Sequence, residues 1–388
     1  MTLSVQQNKI LNDILEWYKK DRMQMRHITM GGYAGTGKTT LLAVLREELF
    51  KLDPNLKIAF VSYTGKAARV LKTKLKEEKT LKSLDTVGTI HSLIYSPVTN
   101  DREEIVGWKI KDKIEPGLII VDEGSMVDGS IWNSLMSFGR PIIAVGDHGQ
   151  LPPISGNFNL MQKPDLLLSE IFRQEQENPI IALSVMARET GVIPPGKYSD
   201  GVRKFAMDDP DAQDLMTEII SNYRDDTLIL CGYNNTRRRL NAAIRAALGF
   251  ESPHPQNGDR VICLRNNHRA NIFNGMLGTV ETIEHTDADW YTAGIMMDGE
   301  DKPYKGLISV KQFDSDKALN YTENRATIMR GDLFDFGYAL TVHKAQGSQA
   351  RRVVLFEERF KKMSDEEWKR WLYTAVTRAE EELFIFAR

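Results

Sequence analysis

The stretch Gly32-Tyr33-Ala34-Gly35-Thr36-Gly37-Lys38-Thr39 constrains this 388-residue chain more than any other. It fits the pattern G-x-x-x-x-G-K-[ST] in full, and that pattern works in one setting, with a strand ahead of it and a helix behind. The setting is present: Ile28 to Met30 predicts a short strand, and Thr39 to Lys51 a helix of good helix formers. The glycines let backbone N–H groups close around phosphates, and the helix N-terminus adds positive potential. Gly32, Ala34, Gly35, Thr36, Gly37, Lys38, Thr39 and Thr40 are therefore the candidate phosphate residues. Lys38 is expected to reach the β and γ phosphates, and the Thr39 hydroxyl a Mg²⁺ ion.

A second motif completes the chemistry. Leu118-Ile-Ile-Val-Asp122-Glu123 is an apolar strand ending in two acids. Asp122 is expected to hold Mg²⁺, and Glu123 to orient and deprotonate the attacking water. An acidic pair alone is weak, but after an apolar strand and downstream of a phosphate loop it points to hydrolysis of ATP with Mg²⁺. What the hydrolysis drives does not follow, because one such fold hosts many functions.

Strands and helices alternate through the first half: Lys57 to Ser62 (strand), Gly65 to Glu78 (helix), Leu118 to Val121 and Pro141 to Val145 (strands). This rhythm predicts an α/β fold with a parallel sheet covered by helices. Tyr95 to Lys113 breaks it and reads as a small hairpin excursion. A second α/β unit is expected from about residue 165, with a strand at Asp226 to Gly232 and a helix at Thr236 to Leu248 closed by Gly249. Residues 251–336 carry short β-prone runs among Gly, Asn and Asp, which predicts an inserted β-barrel. Helix (Glu366 to Val376) and strand (Leu383 to Phe386) then return. The expected domains are 1–164 with a hairpin at 95–113, then 165–250 with 337–388, and the insert 251–336.

Composition narrows the class. Hydrophobic residues make up 41% and charged residues 27%, an ordinary globular balance. No run of 18 apolar residues exists to span a membrane, and Met1 to Lys9 has no signal-peptide core. Cys231 and Cys263 fit neither a zinc site nor a disulfide framework, so a cytoplasmic setting is expected. The net charge of −2 excludes a protein that simply coats nucleic acid. Basic groups for such a partner have to be gathered locally. Lys66, Arg69, Lys72, Lys74, Lys76, Lys79 and Lys82 are one cluster, readable as a groove wall or as a solvated helix face.

Five further segments carry a family resemblance: Gly146-Asp147-His-Gly-Gln150-Leu151-Pro152-Pro153, Asp122-Glu123-Gly-Ser125-Met126, Phe172-Arg173-Gln174, Tyr338 to Ser348 and Leu372 to Ala379. In order and spacing they resemble the motifs of superfamily 1 helicases of subclass B, in the RecD-like and phage Dda-like branch. The resemblance runs from about Gln7 to Phe386 and implies two tandem RecA-like P-loop domains, with a hairpin insert in the first and an SH3-like β-barrel in the second. It implies that Gln150 senses the γ-phosphate and that Arg173 and Arg378 act as arginine fingers across a cleft. Arg suits this because its planar guanidinium pairs two phosphate oxygens. Gln7 resembles the glutamine that reads adenine, with neighbouring Gln6 as the alternative.

The same resemblance places a DNA track. Tyr63-Thr64-Gly65-Lys66 and Thr89-Ile-His91-Ser92 match two DNA-contacting motifs, so Thr64, Lys66, Thr89, His91 and Pro152 are expected on it from the first domain. Thr341, His343 and Lys344 are expected from the second. The hairpin would part the strands, with Ile105 and Trp108 stacking on a base; alternatively Trp108 anchors the hairpin on its parent domain. The expected activity is an ATP-dependent DNA helicase moving 5′ to 3′ on single-stranded DNA. A single-strand-stimulated remodelling ATPase and an RNA helicase stay open. Expected partners are single-stranded, forked and tailed DNA, and replication or recombination proteins such as a single-strand-binding protein. A monomer without membrane contact, at the nucleoid of a bacterial or phage-infected cell, is expected.

Overall fold

Fully apolar strands need cover on both faces, and the first half of the chain supplies it. A computed structural model describes residues 3–99, 105–153, 158–171, 177–206, 208–267, 270, 272–313, 315, 319 and 330–387. The chain divides into two compact units, Met1–Ile181 and Ala182–Arg388.

In chain order the first unit runs α1 (Val5–Lys20), β1 (His27–Gly32), α2 (Lys38–Leu52), β2 (Ile58–Ser62), α3 (Gly65–Glu77), β3 (Thr86–Thr89), α4 (Ile90–Ile94), β4 (Tyr95–Thr99), β5 (Ile105–Ile110), β6 (Leu118–Asp122), α5 (Gly129–Met136), β7 (Ile142–Gly146) and β8 (Leu166–Leu168). Six strands form a parallel sheet in the order β3-β2-β6-β7-β1-β8. Alternation along β2 shows why both faces are apolar. Ile58 and Phe60 join the core under α1, α2 and α3, whereas Ala59 and Val61 join the core under α4 and α5. Helix α1 has no counterpart among the elements expected from the sequence. Its start is a capping box, Ser4 with Gln7, and Ile10, Leu11, Ile14, Trp17 and Tyr18 form its buried stripe.

The domain boundary expected at 164/165 moves to Ile181/Ala182. Leu166–Leu168 extends the first sheet beside β1. The Asp165 carboxylate fixes it there, accepting from Thr29 N (2.8 Å) and Thr29 Oγ1 (2.7 Å).

Continuing the numbering, α6 (Pro179–Thr190) leads to β9 (Gly196–Ser199), β10 (Val202–Phe205), α7 (Pro210–Ser221), β11 (Thr227–Cys231) and α8 (Asn234–Ala247). Then come β12 (Arg260–Cys263), β13 (Leu277–His285), β14 (Trp290–Met297), β15 (Tyr304–Ser309), β16 (Phe334–Phe336), β17 (Ala339–Thr341), β18 (Ala350–Glu357), α9 (Asp365–Val376) and β19 (Ala379–Ala387). A second sheet has the order β17-β11-β18-β19-β10-β9 and is parallel except at β9. Between α8 and β17 sits an antiparallel domain, β15-β14-β13-β12-β16. Its ends approach one another: Ile308 of β15 bridges Asp332, and Asp332 N donates to Leu307 O at 2.7 Å. That contact lays the segment entering β16 along edge strand β15, one way a small barrel protects an exposed edge. Cys231 and Cys263 are not joined in a disulfide and lie buried in separate cores.

Candidate active site

All the first-unit motifs sit at one edge of the first sheet, past the C-terminal ends of parallel strands, where open α/β sheets bind ligands. The phosphate loop joins β1 to α2. Gly35 (φ 76°) and Gly37 (φ 73°) are in the left-handed region, which a glycine enters without steric cost. The first N–H bonded inside α2 is that of Leu41, onto Gly37 O, so those of Lys38, Thr39 and Thr40 open on the loop. Lys38 Nζ donates to Gly32 O (2.8 Å) and Tyr33 O (2.9 Å). These are neutral acceptors that a phosphate would outcompete. Thr36 is buried, with its hydroxyl on Tyr33 O (2.8 Å), and Ala34 is half-buried in the same loop.

β7 lies between β1 and β6, so the loop after β7 separates the phosphate loop from the acidic pair. His148 from that loop packs against Tyr33 with the rings tilted at 45° and their centroids 4.1 Å apart. Gln150 is buried, with its Nε2 3.4 Å from Asp147 Oδ2. A side chain on Gly146 would meet Ser125 N at 2.9 Å, so only glycine lets β7 end against the turn that follows Glu123. Leu151 is buried and Pro152 half-buried beyond it.

Asp122 closes β6. Burial, then the charge of Glu123, pushes its carboxyl up to about 6, while the Lys38 ammonium opposes the shift. Glu123 itself adopts φ 55°, unusual for a residue with a side chain, and heads a short 3₁₀ turn, Gly124–Met126. The backbone is turned out of the strand at the residue expected to handle water. The oxygen donors Thr39 and Asp122 suit a hard cation such as Mg²⁺, and two adjacent half-buried carboxylates, Asp122 and Glu123, are what a divalent ion would relieve.

Gln7 is buried beneath the loop. Its Nε2 donates to Thr36 O (3.1 Å), and its Oε1 accepts from Ser4 N (3.0 Å). Gln6 instead holds Ser169 and Glu170. Of the two glutamines, Gln7 is therefore the one that touches the nucleotide loop.

The neighbouring strand ends carry the remaining first-unit candidates. Thr64 caps α3, accepting from Ala67 N (3.2 Å), with Lys66 half-buried in the first turn. Thr89 caps α4, accepting from Ser92 N (3.1 Å). His91 faces Tyr95, centroids 5.3 Å apart. Burial holds its imidazole below the ordinary range, and Asp128, the cap of α5, pulls it back. Asp128 was missed in the sequence reading. Of the basic cluster, Lys72, Lys74, Lys76 and Lys79 are exposed, whereas Lys82 pairs with Glu47 (2.5 Å).

β4 and β5 form the hairpin, which pairs Tyr95 with Ile110 and Pro97 with Trp108. Its base is fixed by Lys111 Nζ on Ser92 O (2.8 Å) and Leu93 O (2.9 Å). Trp108 is 41% exposed, so it is not a buried anchor. Ile105 opens β5, and its side chain lies outside the described residues, as does Arg173.

In the second unit Thr341 ends β17 beside Cys231 and is 8% exposed. The chain then turns through His343 and Lys344, both half-buried. Burial depresses the His343 imidazole and the Lys344 ammonium, the latter helped by the Arg237 charge and opposed by Asp335. Arg378 is 3% exposed. It donates to Thr374 O (3.0 Å), Ser348 O (3.2 Å) and Thr377 Oγ1 (3.2 Å). These bonds join the end of α9 to the segment leaving Lys344. A further residue, Glu358, had no sequence signal. Its carboxylate accepts from Gly232 N (2.9 Å), Tyr233 N (3.1 Å) and Thr236 Oγ1 (2.7 Å), fixing the start of α8.

Residues 2–194 match the family described as AAA domain, and residues 336–386 the UvrD-like helicase C-terminal domain. The ATP-dependent RecD2 DNA helicase of Deinococcus radiodurans is 28% identical, over 92% of this chain and 46% of that protein. The ATP-dependent DNA helicase dda of Enterobacteria phage T4 is 27% identical, over 63% of this chain and 57% of that protein. This chain thus spans about half the length of these two relatives. Among solved structures, a Bacteroides Pif1 helicase in complex with ADP-AlF3 and single-stranded DNA matches with a TM-score of 0.54 at 18% identity, over 99% of this chain and 92% of that one. The fold of this chain is that of the Pif1 structures, and its homologues are superfamily 1, subclass B helicases, the RecD2, Dda, Pif1 and RRM3 proteins among them.

Proposed function

We propose that this chain is an ATP-dependent DNA helicase that moves 5′ to 3′ along single-stranded DNA and parts the duplex ahead of it. One observation carries the reading, the order along the C-terminal edge of the first sheet. The phosphate loop follows β1, Gln150 follows β7, Asp122 and Glu123 follow β6, Thr64 follows β2, and Thr89 closes β3. Four strand spacings, about 19 Å, separate the nucleotide loop from the outermost helix cap. A change at the γ-phosphate therefore has a short path, through adjoining strand ends, to the backbone that would grip DNA.

In this reading Lys38 and the N–H groups of Lys38, Thr39 and Thr40 bind the phosphates. Thr39 and Asp122 hold Mg²⁺, which shields the phosphate charge when bound. Glu123 holds the water and takes its proton, and Gln150 senses the γ-phosphate. Gln7 joins the adenine side of the site to the loop. Arg378, and Arg173 where the family motif has it, lend guanidinium groups to the transferring phosphoryl, and ATP closes the two motor units on each other. Thr64, Lys66, Thr89, His91, Pro152, Thr341, His343 and Lys344 hold the strand by its phosphates, and Trp108 with Ile105 meets the first base pair. The working partner is tailed or forked DNA, met by a monomer in the cytoplasm.

Unwinding of forks carrying either a 5′ or a 3′ tail tests this. Separation of the 5′-tailed fork alone is expected, and separation of the 3′-tailed fork alone overturns the direction. The shortness of β4 and β5 favours a second reading, a remodelling ATPase. ATPase stimulated by single strands without unwinding of either fork would select it.

A further inference from the structure

We propose that His148 and Tyr33 are positioning residues: their packed rings set the turn that carries Gln150 against the phosphate loop, so that Lys38 and Gln150 meet the same γ-phosphate. Tyr33 comes first. The phosphate-loop pattern leaves its position unspecified, so binding phosphate does not by itself require an aromatic residue there. Its backbone carbonyl holds two side chains of the loop, accepting from Lys38 Nζ (2.9 Å) and from Thr36 Oγ1 (2.8 Å). The place of Tyr33 is therefore also the place from which Lys38 reaches its phosphate.

The Tyr33 ring is held from the neighbouring strand. Gly31 of β1 and Gly146 of β7 are register partners, so the two loops leave the sheet side by side. Adjacent strands are about 5 Å apart, and two loops leaving them need a contact to fix their separation. The His148 imidazole supplies it, its centroid 4.1 Å from that of the tyrosine ring. The fit over β1 is close as well. A side chain on Gly31 would meet Pro164 Cγ at 2.6 Å and His148 Nδ1 at 3.1 Å, so glycine at that position lets the imidazole lie over the strand end.

From His148 the hold passes to Gln150 through a bonded turn. Asp147 is 2% exposed, and its Oδ1 accepts from Gly149 N at 2.9 Å. Gln150 N donates to Asp147 O (3.2 Å), and Gln150 Nε2 stands 3.4 Å from Asp147 Oδ2. A turn closed in this way places Gln150 wherever it places His148. Two groups that must meet one phosphate gain from being held at a fixed separation before it arrives, since a loose site forfeits affinity for the group it is built to recognise. Without the ring contact, the turn carrying Gln150 would keep its own bonds and lose its register on the phosphate loop.

The proposal rests on the reading of Gln150 as the γ-phosphate sensor, and the test separates the two. In the full chain with Mg²⁺, affinities for ADP and for adenylyl imidodiphosphate, an ATP analogue that resists hydrolysis, are measured side by side. Their ratio reads recognition of the third phosphate, which a general loss of stability does not move. Gln150→Ala is expected to shift the ratio against the analogue. His148→Ala is expected to shift it in the same sense, about threefold or more, the scale of one aromatic pair. His148→Phe keeps a ring on Tyr33 and is expected to restore the ratio. Because His148 acts through Gln150, the two alanine substitutions together are expected to lose no more than the larger single one. Tyr33→Leu removes the pair from the other side with the same expected shift, and it carries the test should His148→Ala fail to fold. A lower melting temperature with an unchanged ratio in His148→Ala or Tyr33→Leu overturns the proposal while Gln150 keeps its role. Additive losses, or a ratio that His148→Phe does not restore, give the imidazole a nucleotide contact of its own and also overturn it. An unchanged ratio in Gln150→Ala removes the sensor reading, and the positioning with it.

Discussion

Lys38 and Arg378 are both cations expected at phosphates, and the two units hold them in different ways. Lys38 rests on two backbone carbonyls of its own loop, a short-range hold that an incoming phosphate replaces without disturbing any packing. Arg378 is buried and bonded through three of its nitrogens to residues of α9 and of the segment before β18. The same contrast runs through both sites. The first unit presents its residues from loops at strand ends, where local sequence sets the geometry. The second builds its site on buried pairs between residues far apart in the chain, Arg237 with Asp335 and Glu358 with the start of α8. A site of the first kind answers to single substitutions of chemistry. A site of the second kind answers to its supports as much as to its contacts.

The largest expected effect tests the local kind. Lys38→Ala should lower nucleotide affinity and turnover together, whereas Glu123→Gln should keep ATP bound and stop turnover. Each should cost about 10²–10³ in rate, the usual scale for removing one group aimed at developing charge. ATPase rate and nucleotide affinity measured side by side decide it. Normal turnover in Glu123→Gln would put the water-handling group elsewhere.

Next in size is the hairpin. Replacing Ile105 to Trp108 by a short Gly-Ser turn leaves the base of the hairpin, fixed by Lys111, in place. DNA-stimulated ATPase should stay near the unaltered rate, and fork unwinding should fall about tenfold or more, the scale of one lost base stack of roughly 1–3 kcal/mol. Joint loss of both activities would return Trp108 to a supporting role, against its 41% exposure.

The contrast between the units also explains what the sequence made legible. The phosphate loop and the acidic strand end are short motifs whose residues act within a turn of one another, so spacing exposed them, whereas the helix caps Thr64 and Thr89 came from the family resemblance. The barrel was visible as a change of texture, short β-prone runs broken by Gly and Asn. The domain boundary was not, because Leu166–Leu168 is too short to show a period, and only its pairing with β1 places it in the first sheet. Asp128, Glu358 and the Arg237–Asp335 pair were invisible for a related reason. Each acts on a partner distant in sequence, and a lone acid or arginine carries no spacing that would reveal it. The Ser4–Gln7 capping box was the exception, a local pattern that could have announced α1.

Thr64 offers a sharper test of the local site, because its hydroxyl oxygen already serves a structural bond. Thr64→Asp keeps an N-cap acceptor and adds a charge that favours the helix N-terminus. The same charge stands where a DNA phosphate is expected. Melting temperature should hold or rise slightly, while single-strand affinity should fall about tenfold, the order of one charge-assisted hydrogen bond lost to repulsion. Thr64→Ala should do the reverse in part, costing about 1 kcal/mol of stability. If Thr64→Asp binds DNA normally, the cap is only a cap.

The smallest effect compares the units through their histidines. Burial lowers the imidazole pKa of both His91 and His343, but Asp128 partly restores that of His91, whereas among the described residues burial is the cause that acts on His343. Both are therefore neutral near pH 7 and serve as hydrogen-bond partners rather than cations. The folded state prefers the neutral form, so each contributes stability that is fully present above the unfolded pKa, about 6.5. That stability is lost as pH falls through the depressed folded value. DNA acts in the opposite sense, since a bound phosphate favours the charged ring. Single-strand affinity should thus rise, by about twofold per histidine, as pH falls below about 6, while melting temperature drops. Resolved by NMR titration, His91 should protonate at the higher pH of the two, and Asp128→Asn should bring it down toward His343. Equal titration of the two rings before that substitution would show that burial alone governs both, and that the first unit's edge is less strongly acidic than its caps suggest.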